Sequence, residues 1–256
     1  MTTTGWAVVT GASGGLGRGF ATKLAADGMP VVLVARSAGA LHDLADELRE
    51  KYEVEVEVLV ADLSDPTARD EVAADLTTRD VEILVNNAGF GTLSAFADSD
   101  PARMAEEIGL NCLALSVLAR ASVTGMVARG SGAIVNVAST AAFQPIPGMG
   151  VYAATKAYVL NLSLAMWEEL RPRGVSVLAL CPGPTETNFF AAAGNESAFA
   201  SRRTVAQVVQ TCFDALAKGS PVAIDGPLNA AMARSTRLVP TRVAMTLARM
   251  LSGGRH

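Results

Sequence analysis

Histidine is almost missing from this chain. Its 256 residues include only His42, in a charged helical stretch, and His256, at the terminus. That leaves almost no room for a histidine-based metal site or a Ser-His-Asp triad, and no metal centre is expected. Cysteine is scarce as well. Cys112, Cys181 and Cys212 are odd in number and widely spaced, and no CxxC occurs. This argues against a disulfide framework and for a reducing cytosol. Charged residues make up only 18 % against 50 % hydrophobic, so a sizeable buried core is expected. The longest stretch without charge runs from Gly130 to Thr155, but Pro145, Pro147, Asn136 and several glycines interrupt it. A membrane helix needs about 20 mostly apolar residues, so a pocket explains the stretch better. Strand-like residues begin at Gly5 and Trp6, so no secretory signal is expected.

What is present is a regular alternation. Strand patterns fall at Trp6–Thr10, Val31–Ala35, Val54–Ala61, Val81–Asn86, Gly132–Ala138, Val175–Cys181 and Pro221–Ile224. Helical patterns lie between them, near 16–27, 38–51, 66–77, 101–128, 152–171 and 204–218. Such alternation implies an α/β fold, a doubly wound parallel sheet of about seven strands with helices on both faces. Most of the strands are continuous apolar runs, as both-sided burial requires. The third differs: Glu55 and Glu57 alternate with Val54, Val56 and Val58, which suits a half-wet edge strand.

The first strand runs into TGASGGLG at residues 10–17. Gly11, Gly15 and Gly17 let the chain turn tightly and let a pyrophosphate approach the backbone at a helix N-terminus. Read alone, the same glycines can simply join strand to helix. Further on, VYAATKAYVL sets Tyr152 and Lys156 on one helix face. An ammonium beside a phenol favours the phenolate, which would bring the tyrosine nearer to working pH. Such a residue passes a proton to or from a carbonyl or alcohol oxygen, and Ser139 can hydrogen-bond the same oxygen. Asn111 stands inside a helical stretch where an asparagine lowers helix propensity.

Together these features resemble the short-chain dehydrogenase/reductase family, in its TGxxxGxG and YxxxK form. The matching motifs run in family order: TGASGGLG, Asp62 in ADLS, NNAG at 86–89, Asn111, Ser139, YAATK at 152–156 and PGPTET at 182–187. The resemblance implies a Rossmann-type fold and a nicotinamide cofactor. It implies Tyr152 as general acid or base, Lys156 lowering its pKa and holding the nicotinamide ribose, and Ser139 polarising the substrate carbonyl. Asn111 would hold a relay water. Gly11, Ser13, Gly14, Gly15, Leu16 and Gly17 would cradle the phosphates. Asp62 and Leu63 would border the adenine, and Asn87, Ala88 and Gly89 would line the cofactor. Pro182, Gly183, Thr185 and Thr187 would bound the nicotinamide.

Arg36 ends the second strand 19 residues after Gly17, where the residue meeting the adenosine ribose is expected. An acid there selects a free 2′-hydroxyl. An arginine grips a 2′-phosphate through forked hydrogen bonds, with Ser13 and Ser37 able to donate to it. The nearest carboxylate in sequence is Asp43. NADP(H) is therefore the expected cofactor. The expected substrate pocket is apolar, built from Phe90, Ala141, Phe143, Met149, Phe189 and Phe190, and suits a lipophilic ketone or aldehyde. Arg202 and Arg203 can either meet an anionic substrate end or sit in solvent.

The expected domain spans residues 1–228, and a basic extension spans 229–256. The extension holds five arginines and no acid, with Val243, Leu247, Met250 and Leu251 at helical spacing. It can pack on the body or on a sister subunit, touch an anionic membrane surface, or cap the cleft. No nucleic-acid partner is expected, and the resemblance implies a homodimer or homotetramer. The activity expected is NADPH-dependent carbonyl reduction in the cytoplasm. Oxidative alcohol or steroid dehydrogenation is the related alternative, and a non-catalytic NADP sensor the unrelated one.

Overall fold

The computed structural model describes residues 5–187, 189 and 202–235. Seven strands form one sheet: β1 (Trp6–Thr10), β2 (Val31–Ala35), β3 (Val56–Val60), β4 (Val81–Asn86), β5 (Gly132–Val137), β6 (Val175–Cys181) and β7 (Val222–Ile224). All pairings are parallel, in the order β3-β2-β1-β4-β5-β6-β7. The strand order reverses between β1 and β4, where a crevice opens at the carboxyl ends of the strands.

The apolar runs are explained by two-sided burial. On one face Ala7, Val9, Val31, Leu33 and Val85 pack with Phe20, Leu24, Leu41 and Val208. These come from α1 (Gly15–Ala26), α2 (Ala38–Tyr52) and α7 (Val205–Ala217). On the other face Val8, Val32, Val34, Leu84 and Ile134 pack with Leu76, Leu118 and Met126. These helices are α3 (Pro66–Thr78) and α5 (Leu115–Arg129). Alternate residues of one strand thus serve opposite cores.

Local chemistry sets the helix starts. Asp65 caps α3 by accepting from Ala68 N, with Pro66 behind it, and Asp100 caps α4 (Pro101–Ile108) by accepting from Ala102 N. Thr204 and Gln207 form a reciprocal capping box at α7.

Three boundaries differ from expectation. The third strand begins at Val56, not Val54, because Glu53 adopts a left-handed conformation (φ 55°) that turns the chain out of α2. The single helix expected over 101–128 is divided: a π-turn, Gly109–Ala114, separates α4 from α5. The whole run Pro101–Arg129 is long and apolar enough to cross a membrane, yet it lays Leu115, Leu118, Ala119, Ser122 and Met126 into the fold. Finally, the boundary drawn at 228/229 cuts through α8 (Pro227–Ser235). Asn229 donates to Asp225 O (2.7 Å) and fills the space beside Gly183, where a Cβ would lie 2.2 Å from its amide nitrogen. The extension therefore starts as part of the body. Its later residues, including Val243, Leu247, Met250 and Leu251, lie outside the described residues.

Arg203 is not placed as a substrate anchor. Its Nε and one terminal nitrogen donate to the fully buried Asp225 at 3.0 and 3.1 Å, and Thr211 Oγ1 donates to the same carboxylate at 2.7 Å. Its backbone pairs with Pro184 O and Glu186 N, tying the turn after β6 to the start of α7. Removing one partner from a buried charge strands the other. Arg203→Ala is expected to destabilise the fold by about 2 kcal/mol, given the arginine's partial exposure, and to lower Tm by about 4–8 °C. An unchanged melting curve would rule out this anchoring role.

Candidate active site

The glycine loop is fastened to the turn after β4. Thr10 Oγ1 accepts from the amides of Asn87 and Ala88, both at 2.9 Å, and donates to Val85 O. Asn87 Nδ2 donates to the carbonyls of Thr10 (3.0 Å) and Gly11 (3.3 Å). Asn87 thus spends its amide on the loop's shape. Gly11 has φ 63°, and a Cβ on Gly17 would stand 2.1 Å from Gly11 O, so these two positions demand glycine. Gly14 precedes α1 with no atom near its missing side chain. The loop therefore fits an anion at the helix N-terminus. Thr187 reaches across from the turn after β6, and its side chain lies 3.1 Å from where a Gly15 Cβ would be. Ser13 is half-buried in the same loop and Leu16 packs on the core beneath it.

At the tip of β2, Arg36 and Ser37 are exposed. The fold opposes Arg36 with carboxylates that sequence distance hid: Asp62 Oδ2 at 3.6 Å and Glu106 Oε1 at 3.9 Å. Burial raises the Asp62 pKa, but the Ser64 hydroxyl and amide together with Arg36 outweigh it and hold the carboxyl below its usual value. Leu63 is buried in the core.

The second half of the site lies at the ends of β5 and β6. Ser139 follows β5 and accepts from Ala141 N (3.1 Å), while Thr140 N donates to Pro182 O (2.9 Å). Gly183 packs on Asn229, and Thr185 Oγ1 donates to Gly183 O (2.9 Å). On α6 (Gly150–Leu170), Tyr152 and Lys156 are both buried. Lys156 Nζ donates to Val137 O (2.7 Å) and lies 5.7 Å from the centre of the Tyr152 ring.

The expected lowering of the tyrosine pKa is not what these surroundings produce. Burial pushes the Tyr152 phenol up to about 12, with the Ser139 hydrogen bond pulling it back. The Lys156 ammonium is itself brought down to about 8 by burial. Desolvation outweighs pairing because both groups are buried.

Asn111 sits in the π-turn and is 1 % exposed. Its amide donates to Phe90 O (2.8 Å) and Thr155 Oγ1 (3.0 Å), and its Oδ1 accepts from Phe90 N (3.1 Å). The side chain is thereby committed to holding Phe90. Gly89 lies against it: a Cβ there would be 2.7 Å from Asn111 Oδ1.

Of the expected substrate residues, Ala141, Met149 and Phe189 gather around Tyr152, joined by Ile146. The Phe189 ring lies 5.3 Å from that of Tyr152. Phe90 instead stacks on the Arg103 guanidinium (3.7 Å), and Phe143 packs with Leu160 and Ala138 under α6. Both rings are drawn to partners other than Tyr152. Phe190 lies outside the described residues. Thr10, Thr92, Glu107 and Thr155 were missed as site residues. Glu107 left one legible sign, since it stands four residues before Asn111 on the same helical run.

A glycine loop at the switch point, with serine, tyrosine, lysine and asparagine converging beside it, is the arrangement of a dinucleotide-dependent dehydrogenase. The sequence model of the short chain dehydrogenase family matches residues 5–198, and the chain belongs to that family. Among curated relatives it is 34 % identical over 181 residues to the very-long-chain 3-oxoacyl-CoA reductase of Bos taurus, covering 69 % of this chain and 58 % of that protein. The chain thus spans somewhat over half the length of such relatives. Among solved structures, a short-chain dehydrogenase from Sphingobium yanoikuyae in complex with NADPH is 35 % identical, with a TM-score of 0.86 and coverage of 98 % and 97 %. The bulky-bulky ketone specific alcohol dehydrogenase from Comamonas testosteroni is 32 % identical, with a TM-score of 0.83 and coverage of 100 % and 96 %.

Thr10→Val keeps the shape but leaves two amides without their acceptor. It is expected to cost about 2–4 kcal/mol and weaken dinucleotide binding, whereas Thr10→Ser retains both. Melting curves and a dinucleotide fluorescence titration check this, and a valine variant matching the parent in both would refute the role.

Proposed function

We propose that this chain is an NADP(H)-dependent oxidoreductase acting chiefly as a reductase of lipophilic ketones or aldehydes. The observation that carries this reading is the Tyr152 phenol, hydrogen-bonded by Ser139 and buried among Ala141, Ile146, Met149 and Phe189. A phenol pushed up to about 12 holds its proton throughout the neutral range, so it is prepared to donate. The nicotinamide, when bound, supplies or takes up the hydride. Tyr152 gives its proton to the carbonyl oxygen while the Ser139 hydroxyl donates a hydrogen bond to the same atom. Lys156 places a positive charge beside the phenolate that forms. Asn111 fixes Phe90, and through it the strip of chain beside Tyr152.

Residues fit to hold the dinucleotide are Gly11 to Gly17 at the phosphates, Asp62 at the adenine, and Lys156 and Thr187 toward the nicotinamide. Arg36, with Ser13 and Ser37, supports NADP over NAD. Asp62 and Glu106 meet its guanidinium only at 3.6 and 3.9 Å, so an entering phosphate competes with long contacts. The similar Sphingobium protein with NADPH bound supports the same choice. The substrates named for the similar proteins, very-long-chain 3-oxoacyl-CoA and bulky-bulky ketones, agree with an apolar pocket. Half-exposed Ile108, Leu113 and Tyr158 support a homo-oligomer, and three free cysteines support a reducing compartment.

A panel of lipophilic ketones and aldehydes, followed by NADPH absorbance, tests the reaction. At least one is expected to turn over, and Tyr152→Phe is expected to lose about a hundredfold or more in kcat. A silent panel, or a phenylalanine variant as active as its parent, would refute the assignment. For the cofactor, Arg36→Asp is expected to weaken NADPH binding by tenfold or more, as about 1.4 kcal/mol of a charged contact requires, and to leave NADH binding little changed. Equal losses for both cofactors would exclude a phosphate-binding Arg36.

A further inference from the structure

Glu107 has no part in the chemistry described so far. It lies in the last turn of α4, four residues before Asn111, and is 1 % exposed. Its carboxyl faces the hydroxyl and amide of Thr92. Among the described residues, neither Glu107 Oε1 nor Thr92 Oγ1 completes a hydrogen bond. A buried carboxyl left incompletely satisfied lowers stability, so its presence beside the site calls for a reason.

The strip Gly89–Thr92 supplies one, because each of its residues meets a different member of the site. Gly89 packs on Asn111 and Lys156, where a Cβ would be 2.7 Å from Oδ1 and 3.5 Å from Nζ. Phe90 is held through both its N–H and its carbonyl by Asn111. Gly91 lies against the Tyr152 ring, where a Cβ would be 2.8 Å from Cδ2. Thr92 meets Glu107. The carboxyl therefore backs the strip whose front touches the phenol and the ammonium. The charged and titratable groups facing it are Arg103 from its own helix, Cys112 from the π-turn, and Tyr152 and Lys156 from α6.

We propose that Glu107 is a positioning residue of the proton-transfer couple, its buried carboxyl backing the Gly89–Thr92 strip that touches Tyr152 and Lys156 and its charge acting on both. This rests on Tyr152 being the proton donor. Burial lifts the Glu107 carboxyl above the usual range, while Thr92, Arg103 and Lys156 pull it back. Once ionised, it opposes a second negative charge on Tyr152 and favours the positive charge on Lys156, so both retain their protons to higher pH. Tyr152 then remains a donor over a wider range, and alcohol oxidation, which needs the phenolate, is moved toward alkali. The equilibrium between carbonyl and alcohol is untouched; only the pH range of each direction changes.

The test uses the full chain and the best carbonyl–alcohol pair from the panel, with rates measured against pH in both directions. Glu107→Gln is expected to move the alkaline-rising limb of oxidation down by about half a pH unit, roughly a threefold change in rate on the slope. Glu107→Met, which removes the charge together with the carboxyl's own polar atoms, is expected to move it the same way, and Glu107→Asp to restore it. Profiles of both neutral variants that superimpose on the parent, or a drop in kcat that is equal at every pH, would overturn the proposal. If Tyr152→Phe is as active as the parent, it is the underlying assignment of Tyr152 that fails instead.

Discussion

The hydroxyl of Thr10 holds two neighbouring amides that lie more than seventy residues further along the chain. Everything at the carboxyl edge of the sheet depends on this tie. It holds the turn after β4 against the turn after β1, at the point where the strand order reverses. The glycine loop is shaped on one side of it, and the Gly89–Thr92 strip leaves from the other. Tyr152 and Lys156 are then packed onto that strip from α6. A cofactor pocket and a proton-transfer pair thus share one support, because both are built against the same few residues of backbone.

The fold was legible because a parallel sheet covered on both faces leaves a strong trace. Continuous apolar runs, such as Val31 to Ala35, are needed when alternate residues serve two cores. The charged alternation at Glu55 and Glu57 marked the edge strand for the same reason. The π-turn at Gly109–Ala114 was not legible. Its apolar spacing is that of an ordinary helix, and the contact made there, Asn111 gripping the backbone of Phe90, is with a residue twenty-one positions away.

The site was legible as chemistry and less so as electrostatics. Glycine spacing, Ser139, Tyr152 and Lys156 are motif features, and the structure brings them to one edge. Their charge states are set by neighbours that are remote in sequence. Arg36 faces Asp62 and Glu106, although the nearest acid along the chain is Asp43. Tyr152 was expected to be acidified by Lys156, but the burial of both raises one and lowers the other. Likewise Phe90 and Phe143 carry the right composition for a substrate wall, yet cation–π stacking and core packing claim them. Composition reports which side chains are present near a pocket, and only packing decides which of them face it.

All seven strands running parallel has a consequence for how the molecule comes together. Among the described residues no hairpin exists to nucleate the sheet, so each pairing must wait for a crossover to close. The β1–β2 and β2–β3 pairings join segments adjacent in sequence, and that half can assemble from the first sixty residues. The β1–β4 pairing cannot, because it closes a far longer loop. The crevice between β1 and β4 therefore comes into existence only with that slower closure. A chain leaving the ribosome would form its edge first and its dinucleotide crevice afterwards, so the site would be a product of a long-range closure rather than a seed for it.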